Sequence, residues 1–157
     1  MALRDRLRTW RLGCVTMWDA CDPAHIGPHA RVVAGYLDGP CKWPPEGWSM
    51  FPRARKVRIT TLANPLADVF DWEAGTVGLD AVRAAVMDRM DAYLPSVVYC
   101  SASKWAAAKA AVDLLPVAWW VADWTGQPHL PAGAVACQYA SLTDYDLSVV
   151  SPAWPKA

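Results

Sequence analysis

The chain has 157 residues, of which 54% are hydrophobic and 19% charged, and its fifteen basic residues balance fifteen acidic ones. This length predicts one domain with a full core, and the neutral balance argues against a nucleic-acid or other polyanion binder, which needs a basic excess. No apolar run reaches the roughly 18 residues that a membrane span requires. Ten Trp beside two Phe are unusual. Because the indole N–H needs a partner and the ring is hard to enclose, they suggest flat platforms of the kind that contact sugar rings.

Residues 1–13 are interpreted as a basic arm that precedes a domain at residues 14–157. The arm carries four arginines, and no apolar stretch of a secretion signal follows them. We therefore expect synthesis in the cytoplasm without a signal peptide. Leu3, Leu7 and Trp10 recur at helical spacing. The arm is expected either to dock on a partner, such as a virion or another scaffold, or to fray.

Eight short apolar runs have the length and composition of β-strands. Each run ends in polar residues, and its near-continuous hydrophobicity predicts burial on both faces of a sheet. The eight runs are residues 15–21, 32–38, 56–62, 67–73, 96–101, 118–124, 134–140 and 145–150.

Two helices are predicted in the middle of the chain. Apolar residues recur at steps of three and four over residues 79–94, and residues 103–115 form an Ala-rich segment with Ser103 as the predicted N-cap. Residues 44–54 are expected to add a helical turn or two. The order strand–helix–strand in this region predicts parallel pairing.

The eight strands favour an α/β fold, a compact (β/α)8 barrel. That fold typically needs about 250 residues, whereas this chain supplies about 20 for each unit. Several outer helices must therefore be shortened or missing. The alternative is an open, doubly wound α/β sheet with one strand or two miscounted.

The cysteine pattern fits neither a disulfide framework nor a zinc ribbon. The spacings are wide, the number is odd, and no C-x-x-C occurs among Cys14, Cys21, Cys41, Cys100 and Cys137. We expect reduced, mostly buried thiols. His25 and His29 have the H-x₃-H spacing of a zinc finger, but paired cysteines are missing. The sequence predicts neither a metal nor a cofactor.

Acidic residues recur at the ends of the predicted strands, which meet at the active-site face of a parallel barrel. Asp71 and Glu73 are two residues apart, so on a strand they share a face while Trp72 turns to the other. Two carboxyls in a partly dry cleft repel each other, so one is expected to hold a proton, as a general acid requires. Paired carboxyls of this kind cleave glycosidic bonds, although such an acid can equally be a solvated loop residue or a helix N-cap. Other acids at strand ends are Asp19, Asp38, Asp123 and Asp146.

Five motifs around these residues resemble the glycoside hydrolase family 25 lysozymes, most closely the shorter lysozyme-like domains of actinobacteria and their phages. Their order and spacing match the family from about Cys14 to Trp154. The motifs are VTMWDACD, VFDWEAG, VVYCSASKW, WWVADWTG and CQYASLTDYDLSVV.

The resemblance implies a (β/α) barrel that cleaves the glycan strand of peptidoglycan at the bacterial cell wall. It implies that Glu73 donates the proton and that Asp71 positions or stabilises the reacting sugar. Asp19 and Asp146 would line the same cleft. The implied sugar contacts are Tyr36, Tyr99, Trp124, Gln138 and Tyr139.

An alternative function is a non-catalytic glycan- or wall-binding module that retains the barrel, for example a virion or tail component. The small size, the Trp content and the basic arm support this alternative. The sequence lacks the G-x-S-x-G, P-loop and G-x-G-x-x-G motifs. Serine hydrolases with that elbow and common nucleotide enzymes are therefore not expected.

Overall fold

The structure is a computed structural model that describes residues 13–73, 78–113 and 115–154. Within these residues, eight strands close into one barrel in chain order. The predicted arm lies outside the described residues, apart from Gly13. The strands are β1 (Val15–Asp19), β2 (Val32–Tyr36), β3 (Arg55–Thr60), β4 (Val69–Asp71), β5 (Ser96–Ser101), β6 (Val117–Ala122), β7 (Ala136–Ser141) and β8 (Asp146–Val150).

The barrel is mixed, since its last strand runs against its neighbours. Strands β1 to β7 pair in parallel with one another in sequence, whereas β8 is antiparallel to both β7 and β1. The cause is the short connection, residues 142–145, because a parallel crossover needs a dozen or more residues. The first residue of β8 therefore lies at the same rim as the last residues of the other strands.

Three α-helices occur in the described part of the chain: α1 (Pro45–Ser49), α2 (Leu79–Asp91) and α3 (Trp105–Val112). The two predicted long helices are confirmed but shorter. Tyr93 takes a φ of 57° just beyond α2. Helix α3 has no side-chain cap, and the Ser103 hydroxyl lies 3.1 Å from that of Ser101; the predicted cap was wrong. No helix of the described residues is long and apolar enough to cross a membrane.

Side chains alternate between the inside of the barrel and its outer surface. On β5, Val97 and Tyr99 belong to the inner cluster, whereas Val98 and Cys100 pack outward beneath α2 and α3. The two helices thus cover one side of the barrel, and the inner cluster fills its interior.

Aromatic residues cover the side of the barrel next to β1 and β2. Trp43 packs against Trp48 and Phe51, and its ring lies so close to Gly35 that a Cβ there would be 2.5 Å away. Trp18 packs on Tyr145, with ring centroids 4.8 Å apart. Three of the ten tryptophans, Trp18, Trp43 and Trp48, therefore pack on this outer side of the barrel.

A disulfide joins Cys21 to Cys41, so the expectation of five reduced thiols was wrong. Strands β1 and β2 are parallel neighbours, so the chain segments that follow them meet at one rim and bring the two sulfurs together. This proximity depends on the barrel and leaves no pattern in the sequence. Cys100 and Cys137 are buried thiols, as predicted, and burial raises the pKa of Cys100 to about 11 and that of Cys137 to about 12.

Candidate functional site

A pocket of about 100 Å³ lies at the rim formed by the carboxyl ends of the parallel strands. It contains eight of the nine predicted site residues, and Tyr139 is not among the residues that line it. The pocket is lined by Asp19, Tyr36, Ile59, Asp71, Glu73, Tyr99, Trp120, Trp124, Gln138 and Asp146.

The alternation along each strand explains why these side chains converge. Asp19 and Asp71 end β1 and β4, each two residues beyond an inward apolar residue, Met17 or Val69. Asp146 begins the antiparallel β8 and therefore reaches the same rim. Three strands and the bend after β4 thus deliver four carboxyls to one pocket.

Asp71 and Glu73 line the pocket together, as the D-x-E spacing predicts. Asp71 is 7% exposed, and burial with the nearby Glu73 charge raises its pKa to about 7. Burial also raises the pKa of Glu73, while Lys104 and a hydrogen bond with Tyr99 act in the opposite direction. Trp72 turns outward, where the Lys104 ammonium lies 5.5 Å from its ring centroid. The pair therefore keeps one proton in weakly acidic solution and loses it close to pH 7.

Asp19 and Asp146 form a second acidic pair. They are direct neighbours across the antiparallel strands β1 and β8. Burial raises the pKa of both carboxyls, and the Asp146 charge raises that of Asp19 further. Asp19 is 3% exposed, so its charged form is strongly disfavoured.

Two buried carboxyl oxygens at the site lack protein partners. Asp19 Oδ2 and Asp71 Oδ1 have no hydrogen-bond partner among the described residues. Most buried polar atoms in folded proteins are paired, because an unpaired one costs about 1–3 kcal/mol. Such groups at a pocket are candidates for function rather than for stability.

Gln138 lies at the centre of the site and joins its polar groups. Its Oε1 accepts hydrogen bonds from Tyr99 Oη at 2.7 Å and from Trp124 Nε1 at 2.9 Å. Its Nε2 donates to Asp146 Oδ2 at 3.1 Å and to Asp19 Oδ1 at 3.4 Å. The residue is 3% exposed.

Aromatic side chains form the walls of the pocket. Trp124 is 60% exposed and stands at the mouth, whereas Trp120 is buried with its indole N–H donated to Ser148 Oγ. Burial is the main cause that raises the pKa of Tyr36 and of Tyr99, and the carboxylates add to it. Both phenols therefore stay neutral and offer hydrogen bonds beside a flat ring.

Three residues at the site were not anticipated. Ile59 and Trp120 line the pocket, and strand alternation in the sequence could have placed both on the inner face. Lys104 acts on Glu73 from the start of α3. The effect of Lys104 on Glu73 depends on where α3 begins, and the predicted start of this helix was wrong by two residues.

The other candidate groups lie apart from the pocket. Asp123, which received no catalytic role, pairs with His129, whose Nε2 is 2.9 Å from Asp123 Oδ2. His25 and His29 are exposed. Among the described residues, no group of three or more His, Cys, Asp or Glu is placed to hold a metal ion.

This arrangement has the groups that acid-catalysed bond cleavage needs. A carboxyl that keeps its proton near neutral pH can donate it, and neighbouring carboxylates can stabilise a positive charge that develops beside it.

Comparison of the chain with protein-family models, with curated proteins and with solved structures finds no match in any of the three.

Proposed function

We propose that the protein is a glycoside hydrolase that cleaves the glycan strand of peptidoglycan, similar to the family 25 lysozymes. The observation that carries the proposal is the pocket in which Asp71 and Glu73 meet with raised pKa values beside two tyrosines and an exposed tryptophan. The resemblance of the motifs supports the choice of substrate. The mixed eight-stranded barrel is, on this proposal, a shortened (β/α)8 barrel that has lost outer helices.

Glu73 is the proposed proton donor. It is the less buried of the pair and lies in the bend after β4, so it can reach a bound ligand. Burial favours the shared proton on Asp71, the more buried of the two carboxyls. Cleavage requires the proton on Glu73 and a negative charge on Asp71. Glu73 then protonates the leaving oxygen as the bond from the sugar carbon breaks, and a water completes the hydrolysis and returns a proton to Glu73.

Aromatic residues are the proposed sugar contacts. Trp124 offers an exposed ring face at the mouth, and Tyr36 and Tyr99 offer hydroxyls deeper in the pocket. Tyr139 follows Gln138 on β7 and is proposed only as an outer contact. Sugar rings stack on such faces because both surfaces are flat and apolar.

The proposed place of action is the bacterial cell wall. The disulfide between Cys21 and Cys41 supports this proposal, because disulfides persist in oxidising surroundings outside the cytoplasm. A virion or another scaffold is the proposed partner of the basic arm at residues 1–13, most of which lies outside the described residues. No nucleic-acid partner is proposed.

The test is release of reducing ends from purified actinobacterial cell walls by the wild-type protein and by Glu73→Gln. We expect the wild-type protein to release them and Glu73→Gln to lose about 10²–10⁴-fold of the rate, because amide cannot donate the proton. The variant should still bind walls in a pull-down. If both proteins are equally inert and both bind walls, the non-catalytic glycan-binding function is correct instead.

A further inference from the structure

Gln138 has no hydrogen-bonding capacity left for a ligand. A side-chain amide has two N–H donors and two acceptor lone pairs, and Gln138 uses both of each on Tyr99, Trp124, Asp146 and Asp19. It is also 3% exposed. This differs from the expectation that Gln138 contacts the sugar directly.

The orientation of the Gln138 amide follows from its partners. An indole N–H is a donor only, so the oxygen must face Trp124. The amide nitrogen must then face Asp146 and Asp19, each of which presents a carboxyl oxygen as an acceptor. A rotation of the amide would place like groups against each other on both sides at once.

The partners of Gln138 come from distant parts of the chain. Asp19 ends β1, Tyr99 is on β5, Trp124 follows β6 and Asp146 begins β8. Tyr99 donates its one hydroxyl proton to Gln138 and lies beside Glu73. One buried side chain therefore connects the exposed Trp124 ring with Tyr99 and with both members of the Asp19–Asp146 pair.

We propose that Gln138 is a positioning residue, which holds Trp124 and the Asp19–Asp146 pair in one fixed arrangement. The proposal deepens the proposed hydrolase function and rests on it only for its activity readout. Its direct consequence is that a change at Gln138, or at the Trp124 indole N–H that Gln138 binds, alters the titration of Asp19 and Asp146.

The test is a ¹³C NMR titration of the aspartate carboxyls in the wild-type protein and in Gln138→Glu. The variant keeps the oxygen that faces Tyr99 and Trp124 but turns a second oxygen toward Asp19 and Asp146. The carboxyl cluster must then hold one more proton, and its titration is expected to extend upward by about one pH unit. Gln127→Glu adds the same charge at an exposed position of the loop that carries Trp124. That control should leave the titration of Asp19 and Asp146 unchanged, because exposed charges are screened.

Trp124→Phe keeps an aromatic ring at the exposed position but replaces the indole by a smaller phenyl ring that has no N–H to donate. It frees the amide to rotate, so Asp146 loses part of its donor and its titration should move upward by less than in Gln138→Glu. This variant tests whether Gln138 is a positioning residue even if Gln138→Glu does not fold. Titrations of Asp19 and Asp146 that match wild type in every folded variant would overturn the proposal. A wild-type protein that fails to release reducing ends would contradict the hydrolase function alone, because the titration needs no turnover.

Discussion

Two acids lie two residues beyond the end of a strand at the barrel rim, Asp38 after β2 and Glu73 after β4, and their surroundings differ. Asp38 follows β2 and accepts hydrogen bonds from Thr60 Oγ1 at 2.6 Å, Thr61 N at 2.8 Å and Thr61 Oγ1 at 3.1 Å. Glu73 follows β4 beside Asp71, whose Oδ1 has no partner among the described residues. Asp38 is therefore structural, because the chain supplies donors to both of its oxygens, whereas the end of β4 leaves a buried oxygen of Asp71 without a donor among the described residues and is a candidate for chemistry.

The largest expected contrast is at Asp71. Asp71→Asn should lower the rate of reducing-end release by about 10²-fold or more, because the charge that stabilises the reacting sugar is lost. The same variant should raise the free energy of unfolding at pH 8 by about 2–4 kcal/mol, since a carboxyl with a raised pKa destabilises the fold above that pKa. The gain should fall below about 1 kcal/mol at pH 4, because the folded protein then keeps the proton on Asp71 and the unfolded carboxyl, with the ordinary Asp pKa of about 3.9, is nearly half protonated.

Chemical denaturation at the two pH values measures this effect. Asp144→Asn, at an exposed acid, is the matched control and should change neither stability nor rate. A loss of stability in Asp71→Asn at pH 8 would mean that Asp71 is a structural carboxylate like Asp38.

The disulfide joins the segments that follow β1 and β2, close in sequence to Asp38, and is expected to contribute to stability but not to activity. Cys21→Ser with Cys41→Ser should lower the free energy of unfolding by about 3 kcal/mol, because the bond closes a loop between residues 20 apart. Thermal denaturation with and without reductant checks this, and Cys14→Ser serves as the control at a free thiol. Equal melting temperatures for the wild-type protein in both conditions would contradict the assignment.

The smallest expected effect is at Asp38. Asp38→Ala should lower the free energy of unfolding by about 1–3 kcal/mol, because the hydroxyl of the buried Thr60 loses its acceptor. The rate of reducing-end release should stay within about threefold of wild type once the protein is folded. Loss of activity in a folded Asp38→Ala variant would mean that Asp38 also takes part in the reaction.

The barrel could be predicted from the sequence because each strand is a separate apolar run with polar ends. Its mixed character was missed, although residues 142–145 are too few for a parallel crossover. The cover of the barrel was only partly predictable. A Trp at a strand end can pack outward, as Trp18 does, fill the interior, as Trp120 does, or remain exposed, as Trp124 does.

The acidic residues of the site could also be predicted from the sequence. Side chains alternate along a strand, so an acid at the end of a predicted strand can be assigned to the inner face of the barrel at its rim. The role of Gln138 could not, because its four partners come from four separate segments and their contact exists only in the closed barrel. The Cys21–Cys41 bond escaped prediction for the same reason. Sequence patterns report local geometry, whereas these contacts depend on which strands become neighbours.

The most direct test of the central claim is the pH dependence of reducing-end release by the wild-type protein. One proton shared by Asp71 and Glu73 predicts a bell-shaped profile whose alkaline limb lies close to pH 7, where the pair loses that proton. A rate that stays constant between pH 6 and pH 9 would contradict the account, because a pair that has lost its proton cannot supply a general acid.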